Sequence, residues 1–361
     1  MFLKRALSLS PRFFGRVALH APLLIVKNVS RLLLLCASYV RNVGQSQTLR
    51  SLKPCARISM EKEKRGRCAK YLGSANNPAE GKSMQTEQVS ILCENARLYA
   101  QLHIPDIVPA PAVLVCHFMD ARGYHGLGIY TRLAEVACQA GFVSLTFDFR
   151  GVGKSTGQFD YGLGEQQDVK CALSYLTSKK EVLPNSIFVV GHSLGAAVSL
   201  YAVQNDARIK GLVLWSPPKN HDYNVKKFIR RTRGRMGLYA FLLFSQLDRV
   251  FNVSRVFKME VFGIDLRLRD VRGKLMKLDE CKVIQKLKNL PVLIVIGDAD
   301  DIHGLDEAQE VYSCAHDSKT LLVIKGANHG YEGKEDELVA KTMEWIRNVE
   351  AGSLKCNGYL G

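Results

Sequence analysis

Apolar residues from position 85 onward fall into two alternating patterns. Short apolar runs bounded by Gly, Pro or polar clusters favour strands that are covered on both faces. Longer segments with apolar residues three or four positions apart lie between them, and this spacing is typical of amphipathic helices. The predicted strands are Val89–Cys93, Leu98–Ile104, Ala112–Cys116, Phe142–Phe147, Ile187–Val190, Gly211–Trp215, Pro291–Ile296 and Lys319–Ile324. The predicted helices are Tyr130–Ala140, Gln166–Leu176, Leu194–Val203, Asp306–Cys314 and Glu335–Asn348.

Repeated strand–helix units of this kind require a mostly parallel sheet with helices on both faces. The eight strands predict one α/β domain over residues 85–350, preceded by an extension over 1–84 and followed by a tail over 351–361. Residues 219–288 break the alternation and contain two amphipathic, basic stretches, which predicts a cap inserted above the strands. In such sheets the reactive groups lie at the carboxyl ends of the strands.

The clearest chemical motif is Gly-His-Ser-Leu-Gly at Gly191–Gly195, between a predicted buried strand and a predicted helix. A G-x-S-x-G pattern in this context predicts a nucleophile elbow, a sharp turn that exposes the serine and requires small residues two positions before and after it. Ser193 is therefore the candidate nucleophile, and the Leu194 N–H is placed to stabilise a developing oxyanion. The alternative is a glycine-rich turn that only joins strand to helix.

A serine nucleophile needs a histidine base and a carboxylate that orients the base, and in this kind of elbow the acid precedes the histidine in the chain. His329 follows the strand Lys319–Ile324, so it lies at a carboxyl end and is the predicted base. His316 precedes that strand and lies on the wrong side of the sheet, which leaves His303 as the competitor.

Three aspartates, Asp298, Asp300 and Asp301, follow the strand Pro291–Ile296. The usual spacing of a glycine, two residues and then the aspartate selects Asp300 as the acid. Asp298 and Asp301 stay open as alternatives, because solvent-facing turns also favour aspartate.

The second oxyanion donor should come from the loop after Ala112–Cys116, and the Phe118 N–H is the candidate. Phe118 and Met119 are also expected to shape the acyl pocket. We expect His117 to make a structural hydrogen bond beneath the site. The segment Asp148–Ser155 lacks the spacing of a phosphate loop and predicts a turn that braces the site.

Together, these residues resemble the α/β-hydrolase superfamily, in particular its serine-aminopeptidase-like and feruloyl-esterase-like branch. The resemblance covers about residues 85–350. It implies a triad of Ser193, Asp300 and His329, with backbone oxyanion donors at Phe118 and Leu194. The family often has His-Gly after the third strand, whereas this chain has His117-Phe118. The motifs are Asp148-x-Arg150-Gly151-x-Gly153-x-Ser155, Gly191–Gly195, Gly297-x-x-Asp300 and Gly326-Ala327-x-His329.

The resemblance implies hydrolysis of a small carboxylic ester through an acyl-enzyme, with no cofactor and no metal. The alternatives are a lipid-acting hydrolase such as a monoacylglycerol lipase, an acyl-thioesterase or acyltransferase, and a non-catalytic scaffold. The ordered Ser, Asp and His argue against the scaffold. Peptidase activity is disfavoured because the His-Gly-Gly-Pro-Gly run of the proline-selective members is missing. The serine argues against the dehalogenases and epoxide hydrolases, which use an aspartate nucleophile.

The chain is basic, with 50 Lys and Arg against 34 Asp and Glu, and residues 1–60 contain ten basic residues and no acidic residue. This composition is typical of an organelle transit peptide, with an inert extension and a membrane-associating helix as alternatives. Lys27 and Arg31 argue against a spanning helix at Leu23–Val40. We expect an intracellular protein, cytoplasmic or organellar (mitochondrion or plastid). No basic stripe is interleaved with aromatic residues, so nucleic acid is not an expected partner.

Basic residues also precede the apolar stretch Leu238–Phe244 of the cap. Such a rim could contact anionic lipids or the phosphate of an acyl thioester, and the alternative is a solvated helix with an ordinary buried face. The ten cysteines form no C-x-x-C pair or metal-ligand spacing, which predicts free thiols in a reducing compartment. The sequence leaves the oligomeric state open. The basic residues are Lys226, Lys227, Arg230, Arg231, Arg233 and Arg235.

Overall fold

The computed structural model describes residues 84–251, 258–353 and 358–360, which all belong to one compact unit, Pro78–Gly361. The predicted leader therefore lies outside the described residues, and the predicted domain limits stay predictions. The strands are β1 Gln85–Cys93, β2 Ala96–Ile104, β3 Ala110–Cys116, β4 Val143–Phe147, β5 Val182–His192, β6 Ile209–Trp215, β7 Lys258–Val261, β8 Ile264–Arg267, β9 Val292–Gly297, β10 Lys319–Ile324 and β11 Gly358–Leu360.

One nine-stranded sheet runs in the order β1-β2-β4-β3-β5-β6-β9-β10-β11. β2 pairs antiparallel with both β1 and β4, and the strands from β4 to β11 pair in parallel. The α/β-hydrolase architecture and all eight predicted strands are confirmed. β11 is the ninth strand, and three residues are too few to show a hydrophobic period.

Helices cover both faces of this sheet, because successive side chains of a buried strand point to opposite sides. The helices are α1 Ile129–Gln139, α2 Gly164–Thr177, α3 Leu194–Ala202, α4 His221–Phe251, α5 Leu268–Gly273, α6 Glu280–Ile284, α7 Leu305–Cys314 and α8 Glu335–Glu350. Val113 and Val115 of β3 face the layer that contains α1 and α8, whereas Leu114 faces the layer that contains α2, α3 and α7.

The segment between β6 and β9 forms the cap, where α4 is interrupted at Gly234 by non-helical backbone (φ 66°, ψ −174°). The antiparallel hairpin β7–β8 follows, with Phe262 and Gly263 at its turn. Both turn residues have positive φ, 50° and 77°, as a two-residue hairpin turn of type I′ requires. The sequence did not predict this hairpin, because each strand has only four residues.

Three cations of the predicted basic rim are paired with carboxylates. Lys226 Nζ lies 2.5 Å from Asp222, and Arg231 Nη2 lies 2.8 Å from Asp301. Lys227 reaches the buried Glu307 at 2.6 Å. These pairs favour the ordinary cap helix over a rim of unpaired charge. Within the described ranges, no helix is long and apolar enough to cross a membrane.

Cys93 at the end of β1 and Cys171 on α2 are joined by a disulfide across 78 residues. The prediction of free thiols is therefore wrong for this pair, since linear spacing does not reveal which distant cysteines the fold brings together. Their Cα atoms lie 5.7 Å apart, within the usual range for a disulfide. The free cysteines of the described residues are Cys116, Cys138, Cys281 and Cys314.

Candidate active site

Ser193 lies on the sharp turn between β5 and α3. Its backbone has φ 54° and ψ −116°, a conformation that residues other than glycine rarely adopt. Its N–H donates to the Trp215 carbonyl at 2.9 Å, which ties the turn to β6. A Cβ at Gly191 would meet the Gly195 carbonyl oxygen, and one at Gly195 would overlap the backbone of Cys116. The two small residues predicted around the serine are therefore required by backbone on both sides.

His329 lies on the loop after β10, and its Nδ1 is 2.9 Å from Asp300 Oδ2. Asp300 Oδ1 accepts hydrogen bonds from the N–H groups of Ile302 and His303, at 2.9 and 3.0 Å. Burial alone would raise the pKa of Asp300, but the hydrogen bond to His329 and the nearby imidazoles hold this pKa well below its usual range. Asp300 is therefore a carboxylate placed to orient His329.

The two alternative aspartates lie elsewhere. Asp298 is exposed and accepts a hydrogen bond from the Gly326 N–H at 2.5 Å. Asp301 pairs with Arg231 at the surface. Neither carboxylate contacts His329 within hydrogen-bond distance in the described part of the chain, whereas Asp300 does.

His303, the competitor of His329, lies at the candidate nucleophile. Its Nε2 is 3.5 Å from Ser193 Oγ, and this is the hydrogen-bond contact that the hydroxyl makes among the described residues. The ring centroids of His303 and His329 are 5.0 Å apart. The structure therefore places the imidazole of His303 in contact with Ser193 Oγ and that of His329 against His303, and among the described residues no hydrogen bond joins His329 to Ser193. Catalytic hydrogen bonds often tighten only when substrate binds.

The predicted oxyanion donors differ in their hydrogen bonding. The Leu194 N–H begins α3 and has no acceptor within the described ranges. The Phe118 N–H, in contrast, donates to Tyr130 Oη at 3.1 Å. The prediction for Phe118 is therefore corrected, because its N–H is engaged within the protein. The Met119 N–H, one residue further along the loop, has no acceptor among the described residues.

A chain of buried groups behind Ser193 links α1, the end of β5 and the loop after β10. Tyr130 Oη lies 2.7 Å from His192 Nδ1, and His192 Nε2 lies 2.9 Å from the His329 carbonyl oxygen. Burial lowers the pKa of His192 well below its ordinary value, so the ring is neutral. Since Nε2 faces a carbonyl, it carries the proton, and Nδ1 accepts from Tyr130. Sequence reasoning missed both residues, although His192 lies inside the elbow motif.

Residues 109–336 match the family model for the serine aminopeptidases, S33. The chain belongs to this family of α/β hydrolases. The resemblance inferred from the motifs is thereby confirmed.

Two relatives and one solved structure are similar to this chain. An uncharacterised protein of Rickettsia prowazekii is 38% identical over 130 residues, which are 35% of this chain and 52% of that relative, so the match spans about half of its length. The monoglyceride lipase of Saccharomyces cerevisiae is 26% identical over 249 residues, which are 61% of this chain and 80% of the lipase. Est1E from Butyrivibrio proteoclasticus, solved with ferulic acid, shares the fold at a TM-score of 0.56 and 19% identity, covering 73% of this chain and 99% of Est1E.

The structural roles predicted for His117 and for the turn that begins at Asp148 are confirmed. His117 donates from Nδ1 to the Phe118 carbonyl oxygen at 2.5 Å and accepts at Nε2 from the Phe149 N–H at 3.1 Å. Burial lowers the pKa of His117 to about 4, which keeps the ring neutral in this bridge. Asp148 braces the neighbouring loops by accepting from the N–H groups of Tyr124 and Lys154 at 2.9 and 2.8 Å.

Aromatic rings line the cap side of the candidate active site. The Phe118 ring lies 5.5 Å from the His192 ring and 5.3 Å from the Phe262 ring, measured between centroids. The Phe262 carbonyl also accepts from the Ala121 N–H at 3.1 Å, so the hairpin is fixed to the loop after β3. The described residues contain no cluster of His, Cys, Asp and Glu that could hold a metal ion.

Proposed function

We propose that this protein is a serine hydrolase that cleaves carboxylic esters through an acyl-enzyme. The observation that carries the proposal is the 2.9 Å contact between Asp300 and His329, at strand ends beside a serine in elbow geometry. His329 takes the proton of Ser193, and Oγ attacks the ester carbonyl carbon. His329 then returns this proton to the leaving alcohol, and water releases the acid by the same route. Asp300 keeps the imidazole in the required tautomer.

His329 rather than His303 is the proposed base, because only a closely held carboxylate orients and stabilises an imidazolium. The Asp300 oxygen lies 2.9 Å from His329 Nδ1. The nearest carboxylate of His303, that of Glu307, lies 3.8 Å from its Nδ1.

Leu194 and Met119 are the proposed oxyanion donors. Leu194 follows the nucleophile at the start of a helix, where backbone N–H groups point outward and favour negative charge. The N–H of Met119 lacks an internal acceptor among the described residues, whereas that of Phe118 is bonded to Tyr130. Phe118 then contributes its ring, rather than its N–H, to the pocket.

A lipid-acting hydrolase is the second candidate. Aromatic side chains of the cap are exposed, among them Tyr239 at 65% and Phe262 at 46%, and exposed apolar groups of this kind favour contact with acyl chains or a lipid surface. The yeast relative is named a monoglyceride lipase. A panel of esters with increasing acyl chain length separates the candidates, since a lipid-acting enzyme gains activity on long chains and a small-ester enzyme loses it.

Ser193→Ala tests the proposal directly. We expect the variant to lose labelling by a fluorophosphonate probe and to turn over p-nitrophenyl esters at least about a thousandfold more slowly, since the nucleophile is gone. Ser178→Ala, at an exposed helix end, is the control and should retain both properties. Labelling or turnover that survives in Ser193→Ala would exclude Ser193 as the nucleophile.

A further inference from the structure

His303 is held at the nucleophile from several sides. Its side chain is 8% exposed, and its Nε2 lies 3.5 Å from Ser193 Oγ. Its own N–H donates to Asp300 Oδ1 at 3.0 Å, so the backbone is fixed by the carboxylate that orients His329. A histidine in a solvated turn would make none of these contacts. The roles proposed for Ser193, Asp300 and His329 leave His303 without a function.

The other ring nitrogen of His303 faces the cap. His303 Nδ1 lies 3.1 Å from Asn224 Nδ2 on α4, and with the amide in this orientation its N–H donates to Nδ1. The Glu307 carboxylate, which is paired with Lys227, lies further from Nδ1, at 3.8 Å. Burial lowers the pKa of His303, and the neutral ring then carries its single proton on Nε2. The Nε2–H therefore points at Ser193 Oγ as a hydrogen-bond donor.

A donor on Oγ affects the two halves of the reaction differently. During acylation it makes Oγ easier to deprotonate but less nucleophilic, and these effects oppose each other. During deacylation Oγ is the leaving group, and a hydrogen bond to it only helps, because negative charge develops on this oxygen.

We propose that His303 is a catalytic residue that donates a hydrogen bond from Nε2–H to Ser193 Oγ and so speeds breakdown of the acyl-enzyme; this inference rests on the proposed serine-hydrolase function. In that step a water oxygen bonds to the acyl carbon and the C–Oγ bond breaks. The proton of the water passes through His329 to Oγ. His303 keeps its own proton throughout.

Stopped-flow kinetics with p-nitrophenyl acetate, together with intact-protein mass spectrometry of quenched samples, measure this step. His303→Ala should keep a burst of about one p-nitrophenol per enzyme, while steady-state turnover falls about ten- to a hundredfold, as expected for loss of a hydrogen bond to a developing charge. The acetylated enzyme should accumulate. His303→Gln should recover part of the rate, because an amide N–H can replace the donor.

Asn224→Asp separates this role from simple packing. The carboxylate would accept a hydrogen bond from His303 Nδ1–H and so favour the tautomer with no proton on Nε2. We therefore expect accumulation of the acetylated enzyme although His303 is still present. His316→Ala, which removes an exposed histidine far along the chain from the elbow, is the matched control and should behave as wild type.

The outcomes distinguish the two proposals. If His303→Ala turns over like wild type, or loses the burst together with turnover, the donor role of His303 is wrong. If the wild-type protein forms no acyl-enzyme and is not labelled by the fluorophosphonate, the serine-hydrolase proposal itself fails.

Discussion

Three aspartates within four positions show how residue-scale geometry assigns chemistry. Asp300 Oδ2 contacts His329, and Oδ1 accepts from two backbone N–H groups, so both oxygens of the carboxylate are hydrogen-bonded. Asp301, its neighbour, faces solvent and pairs with Arg231. Exposed ion pairs contribute about 0–1 kcal/mol, whereas a carboxylate that orients a base controls the reaction.

Asp300→Asn should lower kcat for p-nitrophenyl esters by about 10⁴-fold with little change in KM, because the amide can stabilise the wrong imidazole tautomer. Asp301→Asn, with the same chemical change one residue away, should retain kcat within about twofold. Equal losses in the two variants would contradict the assignment of Asp300, and steady-state kinetics with circular dichroism as a folding check decides between them.

At the scale of elements, the start of α2 is fixed to the turns around it. Glu165, fully buried in the first turn, accepts from the N–H groups of Asp160 and Gly162, both at 2.7 Å. One turn further along, the buried Asp168 Oδ1 accepts from both Nε and Nη2 of Arg150, at 2.9 and 2.7 Å, and Arg150 belongs to the bracing turn after β4. These contacts couple the helix to the loop that supports the active site.

Glu165 predicts a pH dependence of stability. Burial raises the pKa of this carboxyl from 4.5 to about 7, despite the two N–H donors. The folded state therefore binds the proton more tightly than the unfolded state, and the free energy of unfolding falls as pH rises from about 4.5 to about 7. Glu165→Gln should flatten this slope in urea titrations across that range. An unchanged slope would contradict the raised pKa.

Much of the fold and part of the site follow from local pattern. The eight strands were predictable because each is a bounded apolar run, and Ser193, Asp300 and His329 followed from chain order and strand ends. The engagement of Phe118 was not, because its acceptor Tyr130 is brought to it only by the packing of α1 on the sheet. The contact between Asn224 and His303 joins residues 79 positions apart, and no spacing rule connects a cap helix to a loop after β9.

For the whole molecule, the excess of basic residues is concentrated at one end of the chain, in positions 1–60. The ten basic residues of positions 1–60 lie outside the described residues, while Lys226, Lys227 and Arg231 of the cap are paired with carboxylates. The net charge of +16 comes more from residues 1–60 than from the rest of the chain. Organelle targeting by this leader stays a prediction, as does the intracellular location.

A fusion of residues 1–70 to a fluorescent protein tests the leader. We expect signal confined to an organelle, because an Arg-rich segment without acidic residues is typical of transit peptides. A matched fusion in which the basic residues of positions 1–31 are changed to Gln should be diffuse. Diffuse cytosolic signal from the unaltered fusion would contradict targeting, and a general membrane signal would favour the amphipathic-helix alternative.

The His192 ring holds the elbow and the His329 loop together across the candidate active site. His192 precedes Ser193 in the elbow, and its side-chain Nε2–H donates to the buried carbonyl of His329. Any drift of the histidine loop away from the elbow must first break a hydrogen bond that solvent cannot replace. The rigid His192 ring thus sets the distance between the elbow and the His329 backbone. Warming that loosens surface loops should leave this distance unchanged until the core itself unfolds.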